Sequence, residues 1–382
     1  MYGKVGIELE VLIVVLLLVS FLFYGGYSAF GLIYGSAARY GMHACKKKYL
    51  PRVSFIVPTF NEEDIIRRKI ENIRNLDYPK DKFEIIFVDS SVDKTREIIK
   101  KFKEQSSQSI ILLEEDKKRG LASALNLAYS KATGEIVIKT DCDMLLKNDF
   151  IIKIVKYFSD SMIGAVSGAI RVLNQLDVEI GYRTVFEKLR LAESNLDSTY
   201  IFNGFAFRRS LVEPIDEKSV ADDAELALKI RKKGYRTVYA PDAILYEVSP
   251  ASIKTRIQQK SRRAQGHIRL ISQNINLLFN PKYGKFGLFI FPANFFMMIV
   301  SPWLMLATLI SICVWLYTLL SILSFPLIFA LIFGVLIMYT KSTPKIVSGF
   351  IDAQINLLIG FVKLLIKDPE FNWASPRAKR KN

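Results

Sequence analysis

Two aspartates separated by one residue, Asp141-Cys142-Asp143, follow directly on the apolar run at 135–140. Carboxylates so spaced at a strand end can share a divalent cation with a bound diphosphate. Hard oxygen ligands suit magnesium or manganese, ions that usually also bind substrate phosphates. Alone, Asp-x-Asp is also a common solvated turn, so its neighbours decide. A second pair, Asp222-Asp223, precedes a helical pattern through Ala227, Leu228 and Ile230. One of these acids can act as a general base, or both can simply complement the helix dipole. Asp89-Ser90-Ser91 closes another apolar run. A carboxylate there can accept hydrogen bonds from a base or a ribose, or form an Asx turn. Pro58-Thr59-Phe60-Asn61-Glu62 offers an aromatic face for a base with polar groups beside it, or a capped helix. In the segment 259–263, Gln259, Arg262 and Arg263 can clamp a diphosphate through guanidinium forks, or supply charge at a membrane surface.

The elements that must position these residues alternate. Val53 to Pro58 is a short apolar run ended by proline and reads as a buried strand. Asn61 suits the cap of a helix whose first turn holds Glu62, Glu63 and Asp64. Strands follow at 83–89, 110–113 and 135–140, with helices at 93–102 and 120–132 between them. Repeated strand–helix units predict a parallel sheet covered by helices, with ligands beyond the carboxyl ends of the strands. Asp89 and Asp141 both fall there. From Ser252 to Leu278, apolar residues recur at spacings of three and four with basic residues between them. That is a basic amphipathic helix, suited either to a membrane surface or to packing on the domain.

Hydrophobic residues make up 51% of the chain, but two stretches, 11–38 and 286–340, contain no charged residue. About 20 apolar residues cross a bilayer. The first stretch can cross once, as an anchor rather than a cleaved signal, and the second twice. The formal net charge is +16. Its lysines and arginines cluster beside the spans, at 46–52, 341–345 and 377–381, which marks the cytoplasmic side and makes nucleic acid an unnecessary partner. The apolar segment 346–366 carries a polar stripe of Ser348, Asp352, Asn356 and Lys363, so it is expected to lie in the interface. Cys45, Cys142 and Cys313, with His43 and His267, have no metal-ligand spacing, and no disulfide framework is expected.

Taken in order, these pieces resemble the family 2 glycosyltransferases. The likeness rests on the opening strand with its Asn-Glu turn at 53–63 and on Arg119-Gly120-Leu121-Ala122, where lysine is frequent at the position of Leu121. It continues through Lys139-Thr140-Asp141-Cys142-Asp143, Asn203-Gly204 followed by Arg208-Arg209, Asp222-Asp223, the segment 234–242 and Gln259-x-x-Arg262. The ending Trp373-Ala374-Ser375-Pro376-Arg377 is similar to that of membrane-integrated cellulose, chitin, hyaluronan and poly-N-acetylglucosamine synthases. The resemblance implies an α/β GT-A domain, the fold of nucleotide-diphospho-sugar transferases, plus an α-helical transmembrane region. It assigns the base to Phe60 and Asp89, the ribose to Glu62 and the nucleotide side to Arg119, with Thr59 among the substrate-binding residues. Asp141 would contact the donor and Asp143 the metal, Mg2+ or Mn2+. Gly204 would floor the acceptor pocket, Gln259 and Arg262 would hold the diphosphate, and Asp223 would be the base.

The organisation expected is a membrane helix at 1–38, a cytoplasmic catalytic domain at 39–251 and an amphipathic segment at 252–284. Two membrane helices at 285–340 and an interfacial helix with a basic tail at 341–382 complete it. The expected activity is inverting transfer from a uridine diphosphate sugar to a growing glycan at the cell membrane, in contact with its lipids. A lipid-linked or polyprenyl-phosphate acceptor is the alternative, and a non-catalytic scaffold that senses nucleotide sugar is the reading of another class. Arg263 stands where the synthases have the tryptophan that supports the acceptor sugar. Short products or single additions are therefore expected, and a high-molecular-weight glycan made by the purified enzyme would overturn that expectation.

Overall fold

The computed structural model describes residues 2–37, 49–173, 177–200, 204–247, 252–320 and 345–366. The strands are β1 (Val53–Thr59), β2 (Phe83–Asp89), β3 (Ser109–Glu114), β4 (Ile136–Lys139), β5 (Leu145–Leu146), β6 (Ile163–Val172), β7 (Gly204–Arg208) and β8 (Arg236–Glu247). They form one sheet in the order β3-β2-β1-β4-β7-β6-β8-β5. The parallel sheet expected from the sequence is only its first half. β3, β2, β1 and β4 are parallel, whereas β7 runs antiparallel to both β4 and β6. A chain that returns next to β4 in the opposite sense does not follow the strand–helix rhythm that predicts parallel pairing.

Helices α1 (Tyr2–Ser20), α2 (Gly26–Ala37), α3 (Ile66–Arg74), α4 (Thr95–Glu104), α5 (Leu121–Lys131) and α6 (Phe150–Val155) precede α7 (Asp177–Leu196) and α8 (Asp222–Lys232). Then come α9 (Ile253–Gln273), α10 (Phe291–Phe295), α11 (Ser301–Leu320) and α12 (Lys345–Ile366). One core lies beneath α3, α4 and α6, built on Phe55, Phe87, Phe150 and Ile138, and a second beneath α5 and α8, built on Ile56, Leu125, Phe207 and Ile230. α3 begins at Ile66 rather than at Asn61. Asn61 has φ 55, in the left-handed region that asparagine tolerates, because its side chain is used across the fold. It accepts from Val92 N at 3.0 Å while its own N–H donates to Ser91 at 2.8 Å.

Among the described residues, three stretches are long and apolar enough to cross a membrane: Ile7–Gly35, Phe286–Tyr317 and Ser348–Ile366. The second crossing expected near 320–340, Asn203, the tail motif and the terminal basic cluster lie outside the described residues. α2 packs on α7 through Gly31 and Gly35, where an added Cβ would fall 2.9 Å from Leu189 Cα and 2.0 Å from the Lys188 carbonyl oxygen. Only glycine permits that approach. The membrane-side residues Tyr27 and Asn294 donate at 2.5 and 2.8 Å to Glu193, which is buried on α7. A third core joins Ala224 and Leu228 of α8, Ile271 of α9, and Phe286 and Phe291. Ala264, Ile268 and Ile271 on the apolar face of α9 are thus covered by protein, whereas Ile257 on the same face stays exposed. α12 meets α9 through Asp352–Lys260 at 2.9 Å and Lys363–Ser261 at 2.8 Å.

Lys69 on α3 is fully buried, and its ammonium donates to Thr140 Oγ1 at 2.9 Å and the Met144 carbonyl at 2.6 Å. It therefore grips both ends of the loop that carries Asp141 and Asp143. Burial lowers its pKa to about 7, against a weaker pull upward from Cys142 and Asp141. Between about 7 and the unfolded lysine value of ~10.4, the unfolded chain holds the extra proton, so raising pH favours the fold there. Below pH 7 both states are charged and the burial penalty is present in full. Lys69→Met removes this dependence. The melting temperature of wild type relative to Lys69→Met should rise from pH 7 to pH 9.5, and a constant difference would refute the assignment.

Candidate active site

The register of the parallel strands sets the rim of the site. Thr59, Asp89 and Glu114 share one level, so Phe60, Ser90 and Glu115 are the first residues beyond it. β4 ends lower, with Lys139 level with Ile56, and the chain turns through Asp141-Cys142-Asp143 past the edge. α8 brings Asp222 and Asp223 over the same edge. The result is a cleft of about 300 Å³ lined by residues of both halves of the sheet and by α9.

Lys139 occupies the middle of it. Its ammonium is 3.2 Å from Asp222, 3.3 Å from Asp223 and 3.5 Å from Asp141. Burial opposes its charge, but the three carboxylates outweigh burial and raise its pKa well above the ordinary value, so it is a cation. The two aspartates of α8, adjacent in sequence, both reach Lys139 and both line the cleft. At the first turn of a helix no preceding turn separates neighbouring side chains, and one long lysine draws both. Burial raises the Asp223 carboxyl well above the usual range, with Asp222 and Asp141 adding to the rise and Lys139 opposing it. A fifth of that side chain is exposed, toward the cleft.

Thr59, Phe60, Glu62, Asp141, Asp143, Asp222, Asp223, Gln259, Arg262 and Arg263 all line this cleft. Asp89 and Arg119 do not, and Gly204 is the first residue of β7. Asp89 is fully buried beneath the rim: Thr59 and Ser91 hydroxyls each donate at 2.7 Å to one oxygen, and Arg96 donates at 3.0 Å to the other. Lys118 stands 3.9 Å above the Phe60 ring and covers one face of it. Arg263 pairs with Glu247 at 3.5 Å on the α9 wall. Asp141 and Asp143 present two carboxylates, and among the described residues no group of three His, Cys, Asp or Glu side chains is placed to hold a metal ion. Two hard oxygen donors facing a polar cleft suit an ion that keeps water and phosphate ligands.

Lys139, Glu115, Lys118, Glu247 and His267 line the cleft without having been singled out as site residues. Lys139 sat within a quoted motif, but its role depends on α8, which is more than 80 residues away in sequence. His267 is half-buried by surface, and the burial of its ring with the nearby arginines lowers its pKa to about 4, so it is neutral at physiological pH. Burial raises the Glu115 carboxyl, against the attraction of Arg119.

A mixed sheet with a diphosphate-sized cleft at its carboxyl edge, a paired-aspartate loop and acids facing it from a helix define a GT-A nucleotide-sugar transferase. A family model described as glycosyl transferase family group 2 matches residues 136–337, and one described as glycosyl transferase family 2 matches residues 54–215. The probable glycosyltransferase YdaM of Bacillus subtilis (strain 168) is 29% identical over 309 residues, covering 76% of this chain and 73% of that protein. A poly-beta-1,6-N-acetyl-D-glucosamine synthase of Staphylococcus aureus (strain MSSA476) is 28% identical over 228 residues, 57% of this chain and only 55% of the synthase. Among solved structures, the mannosyltransferase PcManGT from Pyrobaculum calidifontis, in complex with GDP-Man and Mn2+, matches with a TM-score of 0.73. It is 30% identical, over 92% of this chain and 99% of that one. The chain belongs to glycosyltransferase family 2.

The Lys139 cluster makes a specific demand. Lys139→Met leaves Asp141, Asp222 and Asp223 without their shared cation, so Asp223 holds its proton to higher pH. Transfer near pH 7 should fall on the order of 10²-fold, the lower range of general-base contributions, and recover in part as pH rises. An unshifted acid limb in the pH–rate profile would show that Lys139 only packs.

Proposed function

We propose that the enzyme transfers a sugar from a nucleoside diphosphate donor to an acceptor at the membrane, with inversion and with help from a divalent cation. The observation that carries the proposal is the convergence on Lys139 of Asp141 from the paired-aspartate loop and Asp222 and Asp223 from α8. Leaving-group side and base side therefore meet in one cleft. Asp141 and Asp143 would hold the cation, Mg2+ or Mn2+, which offsets charge building on the departing diphosphate. Arg262 and Gln259, on the α9 wall, face that same charge. On the other side, Asp223 takes the proton of the acceptor hydroxyl as the new glycosidic bond forms at the anomeric carbon and the bond to phosphate breaks. Its raised pKa makes it a stronger base once deprotonated. Lys139 keeps Asp223 and Asp222 in place and limits their mutual repulsion.

The acceptor expected from the motifs is a glycan. A lipid-linked acceptor is a second reading, favoured by the wall itself: Arg263 and Glu247 make a charged pair where the synthases have an aromatic platform. α8 and α9 are also packed directly on the start of the helix at 286–317, close to the bilayer. The basic residues beside the spans support a cytoplasmic catalytic domain. A uridine donor follows from the synthase likeness, whereas the mannosyltransferase that aligns with most of the chain is solved with GDP-Man.

Asp223→Asn keeps shape and removes the base. Transfer should drop by ~10²–10⁴-fold with nucleotide and metal affinity near wild type, while Asp222→Asn costs much less. Asp143→Asn should abolish transfer and weaken metal-dependent nucleotide binding, and Cys142→Ser, at a side chain buried in the core, should be mild. Turnover and nucleoside diphosphate binding, measured for all four variants, decide the assignment. A dead Asp222→Asn beside an active Asp223→Asn would move the base by one residue.

A further inference from the structure

The sheet order dictates how a nucleoside diphosphate lies in this cleft. Its phosphates belong at the Asp141–Asp143 loop beyond β4, so its base extends over the rim of β1, β2 and β3. The carboxylate expected to read the base there, Asp89, is sealed beneath that rim with both oxygens already bonded. One residue beyond the end of β3, Glu115 lines the cleft in its place. Its backbone is fixed twice: its N–H donates to the Asp89 carbonyl at 2.9 Å, and its own carbonyl accepts from Arg96 at 3.2 Å. Its carboxylate, by contrast, has no hydrogen bond or ion pair among the described residues. Lys118 lies along the same wall, held over the Phe60 ring at 3.9 Å.

We infer that Glu115 and Lys118 form a base-reading pair specific for guanine, so that the donor is a guanosine diphosphate sugar. A carboxylate presents two acceptors side by side, and among the common bases only guanine presents two adjacent donors, N1–H and the 2-amino group. The neighbouring O6 of guanine is an acceptor and suits the Lys118 ammonium. Uracil offers acceptor, donor, acceptor, so a second carboxylate oxygen would face its O2 with no proton between them. A site built for paired hydrogen bonds rejects a ligand that leaves a buried polar group unmatched. This inference rests on the nucleotide-sugar reading proposed above and narrows it to one base.

The test measures binding of GDP, UDP and inosine diphosphate, with Mn2+, to the full-length protein in nanodiscs. Wild type should bind GDP at least about 10-fold more tightly than UDP, with inosine diphosphate, which lacks the 2-amino group, weaker than GDP by a similar factor. Glu115→Gln, whose melting temperature should match wild type, should weaken GDP by about 10–100-fold and leave UDP within a few-fold. Equal affinity for GDP and inosine diphosphate, or tighter binding of UDP, overturns the guanine assignment and leaves the donor class standing. Failure of both GDP and UDP to bind overturns the nucleotide-sugar reading and this inference with it.

Discussion

The site depends on one buried positive charge. Lys139 ends a strand at the centre of the sheet, where burial alone would favour its neutral form. It remains charged because Asp141, Asp222 and Asp223 all lie within 3.5 Å of its ammonium or closer. Removing one partner of a buried ion pair leaves the other uncompensated, at a cost of ~3–5 kcal/mol. The cluster therefore fixes α8 against β4, and with it the separation between the paired-aspartate loop and the acids of α8 across the cleft. Three carboxylates and one ammonium leave an excess of negative charge when all are ionised. Two relaxations are open: a proton retained on Asp223, or a cation at Asp141 and Asp143. On the proposed reading, Asp141 would link a cation held at the paired-aspartate loop to Asp223, because both aspartates share Lys139.

The same helix is anchored at its other end to the membrane region. Arg231, near the last turn of α8, donates to Asp197 at 3.2 Å and to the Tyr283 carbonyl at 2.7 Å. Asp197 in turn accepts from Phe286 N at 3.0 Å, at the first residue of the apolar stretch 286–317. One end of α8 carries the acids and the other is bonded to the start of a candidate span. A displacement of that span therefore reaches Asp223 through one helix of eleven residues, which is stiff on that length. Glu193 makes a second such junction, where Tyr27 and Asn294, from two different apolar stretches, meet on one buried carboxylate. An unpaired acid there would be costly, so the helices are held to the domain by polar bonds as well as by packing.

What could be read from the sequence was local. The strand that leads to Asp141, the acids at the start of α8 and the Gln259–Arg263 segment are short patterns whose meaning does not require a partner elsewhere, and the structure brings them into one cleft. The antiparallel half of the sheet was not legible, because β7 is five residues long and its partners β4 and β6 are set by the return path of the chain. Asn61 misled for a related reason. Its cap-like surroundings suggested a helix start, whereas its side chain bonds to Val92, 31 residues on. Asp89 has the right position for a base ligand, and only the arginine seven residues later, folded back from α4, shows that its oxygens are taken. Glu115, within the acidic run Glu114-Glu115-Asp116, carried no signal of its own. Register alone distinguishes it from Glu114, whose carboxylate pairs with Arg96 and Lys100.

The departure of Arg263 from the synthase pattern gains a physical meaning from its partner. A tryptophan at this position would present a flat apolar face to a sugar ring, a contact that tolerates sliding because it has no fixed bonding direction. Arg263 is instead tied to Glu247 at the end of β8, and the wall becomes a directional, hydrated pair. On the proposed reading, such a wall would favour one defined polar group on the acceptor over successive positions along a uniform chain. α9 carries this wall and rests on α12 where Gly360 meets Ala264 and Ser261; an added Cβ at Gly360 would lie 2.9 Å from the Ala264 Cβ. The acceptor side of the cleft is therefore braced against a helix that is itself long and apolar enough to enter the bilayer. On the second reading of the proposed function, an acceptor presented from the membrane would bring one polar end into the cleft beside Arg263.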